Sequence, residues 1–286
     1  MAQTVRDKMR VISTNKEMSQ ACREAVKPVG LVPTMGALHA GHLSLVDQAR
    51  ADNLTVAVSI FVNPTQFGDQ KDLQGYPRDM EGDLEMLRRH GVDLVYAPTV
   101  DEVYPEGFDT WVDVGPLAEK LEGLHRPGHF RGVATVVSKL FNVMQPDRAY
   151  FGQKDGQQVV VIQKLAQDLD MGVDVVVMPT IRESDGLAMS SRNVQLSAEQ
   201  RRAAPAVHKA LCQAHQLWIS GERSGDGLRE AARERLQAEA MVDSIDYVRV
   251  AGRSTLDELE QVDGRAMVSV AVHMGGVRLI DNTGLE

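Results

Sequence analysis

The stretch VGLVPTMGALHAGHLSLVDQARADNLTVAVSIFV (29–62) holds a strand, a turn, a helix and a second strand in one run. VGLVPT (29–34) is an apolar segment of strand length, HLSLVDQARAD (42–52) has the spacing of a helix, and LTVAVSIFV (54–62) is again β-rich. Strand, helix and strand in that order call for a right-handed crossover and a parallel pair. Where the first strand gives way to the helix stand His39 and His42, two of the chain's 8 histidines, with Ala40 and Gly41 between them.

The alternation continues downstream. MEGDLEMLRRHG (80–91) reads as a helix closed by a glycine, VDLVYAP (92–98) as a strand, and GVATVVSKLFNVMQP (132–146) as a helix stopped by Pro146. RAYFG (148–152), DGQQVVVIQKLAQDLD (155–170) and VDVVVMP (173–179) add strand, helix and strand. The fold class expected is α/β, a Rossmann-like doubly wound and mostly parallel sheet. After Pro179 the texture changes to a polar loop, then Ala-rich helical stretches (197–220 and 225–241), then IDYVRVAG and RAMVSVAVHMGGVRLIDN. The last contains two alternating runs joined at Gly275 and Gly276, a pair that permits a tight hairpin turn. The domain boundary is placed near residue 180: a nucleotide- and substrate-binding catalytic domain over 1–180, and a smaller α+β domain over 181–286 that covers the active site.

The chain has 286 residues, 43% hydrophobic and 25% charged, with a formal net charge of -9. That balance argues against a nucleic-acid backbone or an anionic membrane surface as partner. An anionic ligand must then be met by a local arrangement of cations and backbone N–H groups. The 2 cysteines, Cys22 and Cys212, are far apart and give no CxxC pair or disulfide framework. MAQTVRDKMRVISTNKEMSQ (1–20) is too polar for a signal peptide, and no apolar run reaches the roughly 18 residues of a spanning helix. A cytoplasmic protein is expected.

In open α/β sheets ligands bind beyond the carboxyl ends of the strands, where helix N-termini aim free N–H groups at anions. His39 and His42 fall in that place, three residues apart so that their rings can share a face, and Gly41 leaves the backbone bare for close approach. Taken alone, the pair reads equally well as structural, one ring capping the helix and the other packing, as it does as a ligand site. A metal site is a third reading, since HRPGH (125–129) offers His125 and His129, though without HExxH spacing. The chain has neither a GxxxxGK[ST] loop nor a GxGxxG after a strand, so a nucleotide needs another device. MSSRN (189–193) offers Ser190, Ser191 and Arg192 as donors to phosphate oxygens. By itself that segment reads as an exposed loop and helix cap.

PTMGALHAGH together with MSSRN resembles the HIGH and KMSKS-type signatures of the nucleotidyltransferase superfamily. The likeness extends further. VPTMGALHAGHLSLV, SIFVNPTQFG, YPRD, LEGLHRPGHFRGVATVVSKLFNVMQPDRAYFGQKDGQQ and PTIRESDGLAMSSRN, in that order, are similar to the pantothenate synthetase (pantoate–β-alanine ligase) family over nearly all of 29–196. The resemblance implies an ATP-dependent ligase that condenses (R)-pantoate with β-alanine through a pantoyl adenylate, with ATP and Mg²⁺, in pantothenate biosynthesis. It implies catalytic roles for His42, His39, Lys154 and Arg192. It implies ATP contacts from Met35, Gly36, Ala37, Leu38, His39, Ala40, Gly41 and His42, from Gly152, Gln153, Lys154 and Asp155, and from Ile181, Met189, Ser190, Ser191 and Arg192.

For the pantoate and β-alanine sites it points to Gln66 and Gln158, and Asn63 is a further candidate. Pro33, Met35 and Phe61 are candidates for an apolar wall. Pro64 biases Asn63 toward an extended backbone, so NPTQF can present Asn63 and Gln66 together. Glu122, Arg126 and His129 match positions near the site, with no role assigned. Mg²⁺ is expected mainly on the ATP phosphates, with Asp83 a candidate ligand in a stretch where relatives carry adjacent aspartates and this chain has Gly82. A homodimer is expected. Two other readings stay open: another HxGH nucleotidyltransferase, betrayed by a stable adenylylated acceptor formed without an amine, and a non-catalytic ATP sensor, betrayed by binding without turnover.

Overall fold

The computed structural model describes residues 9–286, so the reading of the first eight residues lies outside it. Its strands are β1 (Arg10–Ile12), β2 (Val29–Thr34), β3 (Thr55–Ile60), β4 (Leu94–Tyr96), β5 (Arg148–Gly152), β6 (Asp174–Met178), β7 (Ser244–Gly252), β8 (Ala266–Met274) and β9 (Val277–Leu285). The helices are α1 (Asn15–Glu24), α2 (Ala40–Asp52), α3 (Gln70–Gly75), α4 (Met80–Arg89), α5 (Val100–Val103), α6 (Glu122–His125), α7 (His129–Met144), α8 (Gly156–Asp168), α9 (Ala198–Ala203), α10 (Ala206–Ile219) and α11 (Gly225–Gln237).

By contact the chain forms two compact units. The first takes the residues up to Val114, then Gly128–Phe151 and Ile162–Met178. It is built on a six-stranded sheet in the order β1-β4-β3-β2-β5-β6, and β2 runs parallel to β3 in register from Val29↔Thr55 to Thr34↔Ile60. All six residues of β3 are buried, as a strand covered on both faces requires. The chain leaves β2 toward β3 and leaves β5 toward β6 on the other side, so the order reverses between β2 and β5. That reversal is where an open α/β sheet leaves a crevice for a ligand. Val32, Val46, Val56, Val58, Leu87 and Val95 are all fully buried in the core that seats α2 and α4 on the sheet.

α2 begins at Ala40, two residues before the sequence suggests, because His39 caps it. Histidine is not among the usual capping residues, so the spacing gave no warning. β1 and α1 lie outside the sequence reading. A three-residue strand carries too little pattern, although Thr14-x-x-Glu17 is a helix-start signature and Thr14 Oγ1 does accept from the Glu17 N–H at 3.3 Å.

The second unit takes Gly115–Pro127, Gly152–Val161 and Pro179–Glu286. Its sheet is an antiparallel meander, β7-β8-β9, and the turn joining β8 to β9 places Gly275 and Gly276 at φ +58° and +83°. Val207 and Leu211 of α10 and Leu228 and Leu236 of α11 pack with Val248, Val268 and Val270 of the sheet. The single helix expected over 197–220 is two, α9 and α10, parted at Ala204–Pro205. Pro205 has no N–H to continue the ladder, and the alanine-rich pattern outweighed that signal. The units also divide the chain differently from a single boundary at 180. Leu121 and Val160 pack with Tyr247, Leu256, Met267 and Ala271, so stretches from the middle of the sequence complete the second unit's core. Among the described residues no helix is long and apolar enough to cross a membrane.

Candidate active site

The candidates fall into two groups, one in each unit. In the first, β2 ends at Thr34 and the backbone turns through Gly36 and Ala37 at φ +84° and +50°. Thr34 Oγ1 accepts from the Gly36 N–H at 3.2 Å and donates to the Ser59 carbonyl at 2.7 Å, which ties the turn to β3. His39 then caps α2: its Nδ1 accepts from the Gly41 N–H at 3.1 Å, and His42 Nδ1 accepts from the His39 N–H at 3.4 Å. The two ring centroids are 4.1 Å apart.

A backbone N–H can only donate, so Nδ1 of each ring must be the nitrogen without a proton. When neutral, both histidines therefore carry their proton on Nε2. The cap reading and the functional reading of the sequence are thus compatible: the cap uses Nδ1, and the proton sits on Nε2 at the positive end of the helix.

Asp83, the metal candidate, lies beneath the turn through Gly36 and Ala37. It is 1% exposed, with Oδ2 accepting from the Ala37 N–H at 2.9 Å and Oδ1 from the Leu38 N–H at 2.7 Å. Burial pushes its carboxyl above the ordinary value and Asp79 adds to this, while the two N–H groups oppose the rise.

After β3, Phe61 is buried and a short 3₁₀ turn, Pro64–Gln66, follows Asn63. Asn63 is 1% exposed. Its Oδ1 accepts from Thr65 Oγ1 and from the Tyr104 hydroxyl, each at 2.9 Å, and its Nδ2 donates to Gln66 Oε1 at 2.9 Å and to the Gly132 carbonyl at 3.2 Å. With Oε1 so engaged, Gln66 turns Nε2 toward Met35 Sδ at 3.3 Å. His129 Nδ1 lies 2.8 Å from the Gln66 carbonyl, which can only accept, so this ring carries its proton on Nδ1. α7 passes so close to the turn that a Cβ on Gly132 would meet the Thr65 carbonyl oxygen at 2.5 Å.

In the second unit GQKD (152–155) is pinned from β9. Asn282 Nδ2 donates to the carbonyls of Gln153 at 2.8 Å and Lys154 at 2.9 Å, and Gln153 Nε2 returns a bond to Asn282 Oδ1 at 3.0 Å. Lys154 Nζ is 3.7 Å from Asp155 Oδ1. On α8, Gln157 is buried and ties down the 115–127 segment, donating to the carbonyls of Leu117 and Lys120 and accepting from the Glu122 N–H at 2.8 Å. Gln158, the next residue, is half-buried.

Glu122 is 6% exposed and holds a two-toothed contact with Arg278 at 2.6 and 2.8 Å, a hydrogen bond from the Tyr247 hydroxyl at 2.7 Å, and Arg126 at 3.9 Å. Burial works to raise its carboxyl, but the Arg278 hydrogen bonds and charge, with Tyr247 and Arg126, carry it below the ordinary value.

The loop of MSSRN is fastened at both ends. The Met189 N–H donates to the Ile181 carbonyl at 3.0 Å, and Ser190 Oγ accepts from the Arg192 N–H at 3.3 Å to cap the 3₁₀ turn Ser191–Gln195. Arg201 of α9 grips Glu183 at 2.7 Å and Asp185 at 2.6 Å, and its hydrogen bond holds the Asp185 carboxyl below the usual range.

A profile of the pantoate–β-alanine ligase family matches residues 9–284. The chain belongs to this family. It is 55% identical over 278 residues to the pantothenate synthetase of Roseiflexus sp. strain RS-1, covering 97% of this chain and 100% of that one. It superposes on the crystal structure of pantothenate synthetase from Thermus thermophilus with a TM-score of 0.92 at 47% identity, over 96% of this chain and 99% of that one. The pantoate–β-alanine ligase of Francisella tularensis, solved with β-γ ATP and β-alanine, matches with a TM-score of 0.80 at 34% identity, over 96% and 97% of the two chains.

In this pantoate–β-alanine ligase family member, the candidates named from sequence motifs are surrounded by supporting residues that the sequence did not announce. Asn282, Arg278, Tyr247 and Arg201 lie in no motif that would flag them, and each acts by a hydrogen bond made far along the chain or across a loop. Gln157 stands inside GQKDGQQ, but its neighbour Gln158 is the one the motif singles out. Tyr104 likewise reaches Asn63 from 41 residues away. Among the described residues no group of three or more His, Cys, Asp and Glu is arranged to hold a metal.

Proposed function

We propose that the chain is an ATP-dependent ligase that joins (R)-pantoate to β-alanine, giving pantothenate, AMP and pyrophosphate through pantoyl adenylate. The observation that carries it is membership of the pantoate–β-alanine ligase family across residues 9–284, and within the first unit Gln66 Nε2 lies 3.3 Å from Met35 Sδ, beside the turn that leads to His39 and His42. A relative solved with β-γ ATP and β-alanine supports the same substrates here.

In the first step the pantoate carboxylate attacks the α-phosphorus, the bond to the β-phosphate oxygen breaks, and negative charge gathers on pyrophosphate. His42 and His39 offer Nε2–H donors to that charge, with Lys154 as a point charge and Ser190, Ser191 and Arg192 as hydrogen-bond donors. A pyrophosphate bound to Mg²⁺ has little need of a full proton, so His42 acts as a charge stabiliser as much as an acid. Asp155 accepts from ribose hydroxyls, the backbone at Ile181 meets adenine, and Met35–Gly41, Gly152, Gln153 and Met189 line the nucleotide. In the second step the β-alanine amine attacks the acyl carbon and AMP leaves. Gln66 and Gln158 hold the pantoate hydroxyls and carboxylate, Asn63 fixes the amide of Gln66, and Pro33, Met35 and Phe61 face the gem-dimethyl group.

Mg²⁺ would come on the ATP phosphates, where it neutralises charge and keeps several waters. Asp83 is engaged with two peptide N–H groups, and in this reading the ion rides mainly on ATP. A homodimer in the cytoplasm completes the reading, on family resemblance and composition; light scattering tests the first.

The deciding experiment is release of AMP and pyrophosphate from ATP and Mg²⁺ with (R)-pantoate, with and without β-alanine. Sustained AMP formation that needs both acids is expected. A folded sample that binds ATP without pantoate-dependent turnover would refute the proposal.

A further inference from the structure

The two histidines stand at the end of a turn whose shape is not one that local preference selects. Ala37 has φ +50°, a left-handed conformation disfavoured for a residue with a Cβ, and it persists only where the surroundings impose it. The imposing group is Asp83, from the first turn of α4, 45 residues away from the nearer peptide it binds. Its two oxygens take the two successive N–H groups of Ala37 and Leu38, at 2.9 and 2.7 Å, and a carboxylate is the one side chain that can accept at both positions. The carboxylate also lies directly against the turn, since a Cβ on Gly36 would come within 3.0 Å of Asp83 Oδ2. The residue after Leu38 is His39, whose own N–H fixes His42 Nδ1. The chain of contacts therefore runs from Asp83 through two peptides to the cap, and from the cap to both imidazoles.

We propose that Asp83 is a positioning residue for adenylyl transfer: it sets the 36–38 turn so that His39 and His42 are held as Nε2–H donors, and it does not serve as a metal ligand. This rests on the reading that those histidines meet the phosphates of ATP. Asp83 touches no reacting atom; it acts through the backbone it holds. A displacement of about 1 Å at a catalytic group can cost roughly 10²-fold in rate, so the support is expected to show mainly in kcat.

The test uses the full chain with Asp83→Asn, which keeps the shape but offers one acceptor oxygen and an NH₂ that clashes with the second peptide donor. Gly36→Ala is the companion variant: at φ +84° it strains the same turn, and its Cβ would stand 3.0 Å from Asp83 Oδ2 and 3.1 Å from Ile60 Cγ2. Imidazole ¹⁵N resonances of the parent, assigned with His39→Gln and His42→Gln, are expected to show the Nε2–H tautomer at both positions. In Asp83→Asn or Gly36→Ala, whichever is folded by circular dichroism, that pattern is expected to become mixed. The kcat should fall about 10²-fold, with the Mg²⁺ concentration for half activity and the pantoate KM each within about threefold of the parent. Unchanged tautomers would overturn the proposal, and so would a shifted Mg²⁺ requirement, which would return Asp83 to the metal. The resonances are read without turnover. If the parent makes no AMP from pantoate, the ligase reading fails while the tautomers still decide what Asp83 does.

Discussion

At His42 the cap takes Nδ1 and leaves Nε2 for the proposed chemistry, which makes the residue's role separable by substitution. His42→Ala is expected to lower kcat by about 10²–10³, the loss typical of one preorganised donor, with ATP affinity changed less. Glutamine can bring an amide N–H near the place of Nε2, whereas asparagine brings its amide only near that of Nδ1, so His42→Gln should retain more rate than His42→Asn. Single-turnover adenylate formation with the three variants checks this, and an Asn variant as fast as the Gln variant would show that Nε2 is not the working atom. The sequence exposed this residue because spacing places it at a helix start, where polar groups meet anions. It offered Asp83 only as a metal candidate, since nothing in an acidic helix foretells that the fold buries this aspartate beneath the turn and sets it on the Ala37 and Leu38 N–H groups. The same holds for Asn63: its Pro64 neighbour announces a turn, but not that every polar atom of the amide is taken up inside the unit.

Among the elements, α7 and the Pro64–Gln66 turn make the tightest approach in the first unit's site. A methyl group added at Gly132 would stand 2.5 Å from the Thr65 oxygen and 2.9 Å from the Gln66 nitrogen, both backbone atoms, so the turn itself must yield. Gly132→Ala is therefore expected to raise the pantoate KM severalfold while ATP binding, measured by titration, stays near the parent value. An unchanged KM would mean that Gln66 does not hold this substrate. Element positions were legible where burial and period agree: β2, β3 and β5 lie where apolar runs of strand length predict them, and α4 and α8 where apolar residues recur at helical spacing. Legibility failed where one local signal was diluted by its surroundings. Pro205 parts α9 from α10 inside a stretch of good helix formers, and β1 is too short and exposed at the sheet edge to leave a pattern.

For the whole molecule, the ion cluster of the second unit contributes to the response to acid. Burial works against the charge of both Glu122 and the half-buried Asp246, yet Arg278, joined by His273 at Asp246, prevails: Glu122 titrates below its ordinary value of 4.5 and Asp246 below 3.8. A carboxyl depressed in the folded state contributes stability that is fully present above its unfolded pKa and is lost as pH falls through the folded one. The melting temperature should therefore hold on descending to about pH 5 and drop below about pH 4. Glu122→Gln should lower it at neutral pH, by leaving Arg278 short of a partner, and flatten the acid decline. Thermal melts across pH 3 to 7 test both, and a parallel decline in the variant would assign the acid sensitivity elsewhere. Arg278→Met, which strands a buried carboxylate, should cost more, about 3–5 kcal/mol.

The chain passes between the two units at 114/115, 127/128, 151/152, 161/162 and 178/179. Heredity feels that threading. A recombination event that exchanged everything after residue 178 between two relatives would bring a new Tyr247, Met267 and Ala271 to meet an old Leu121 and Val160. Such chimaeras should mostly misfold, and residues 179–286 expressed alone should aggregate, unless 115–127 and 152–161 travel with them; soluble yield of matched and mismatched hybrids would measure it. Three distant stretches of the chain thus build one core, and the second unit is a pattern threaded through the sequence rather than a module that can be cut away.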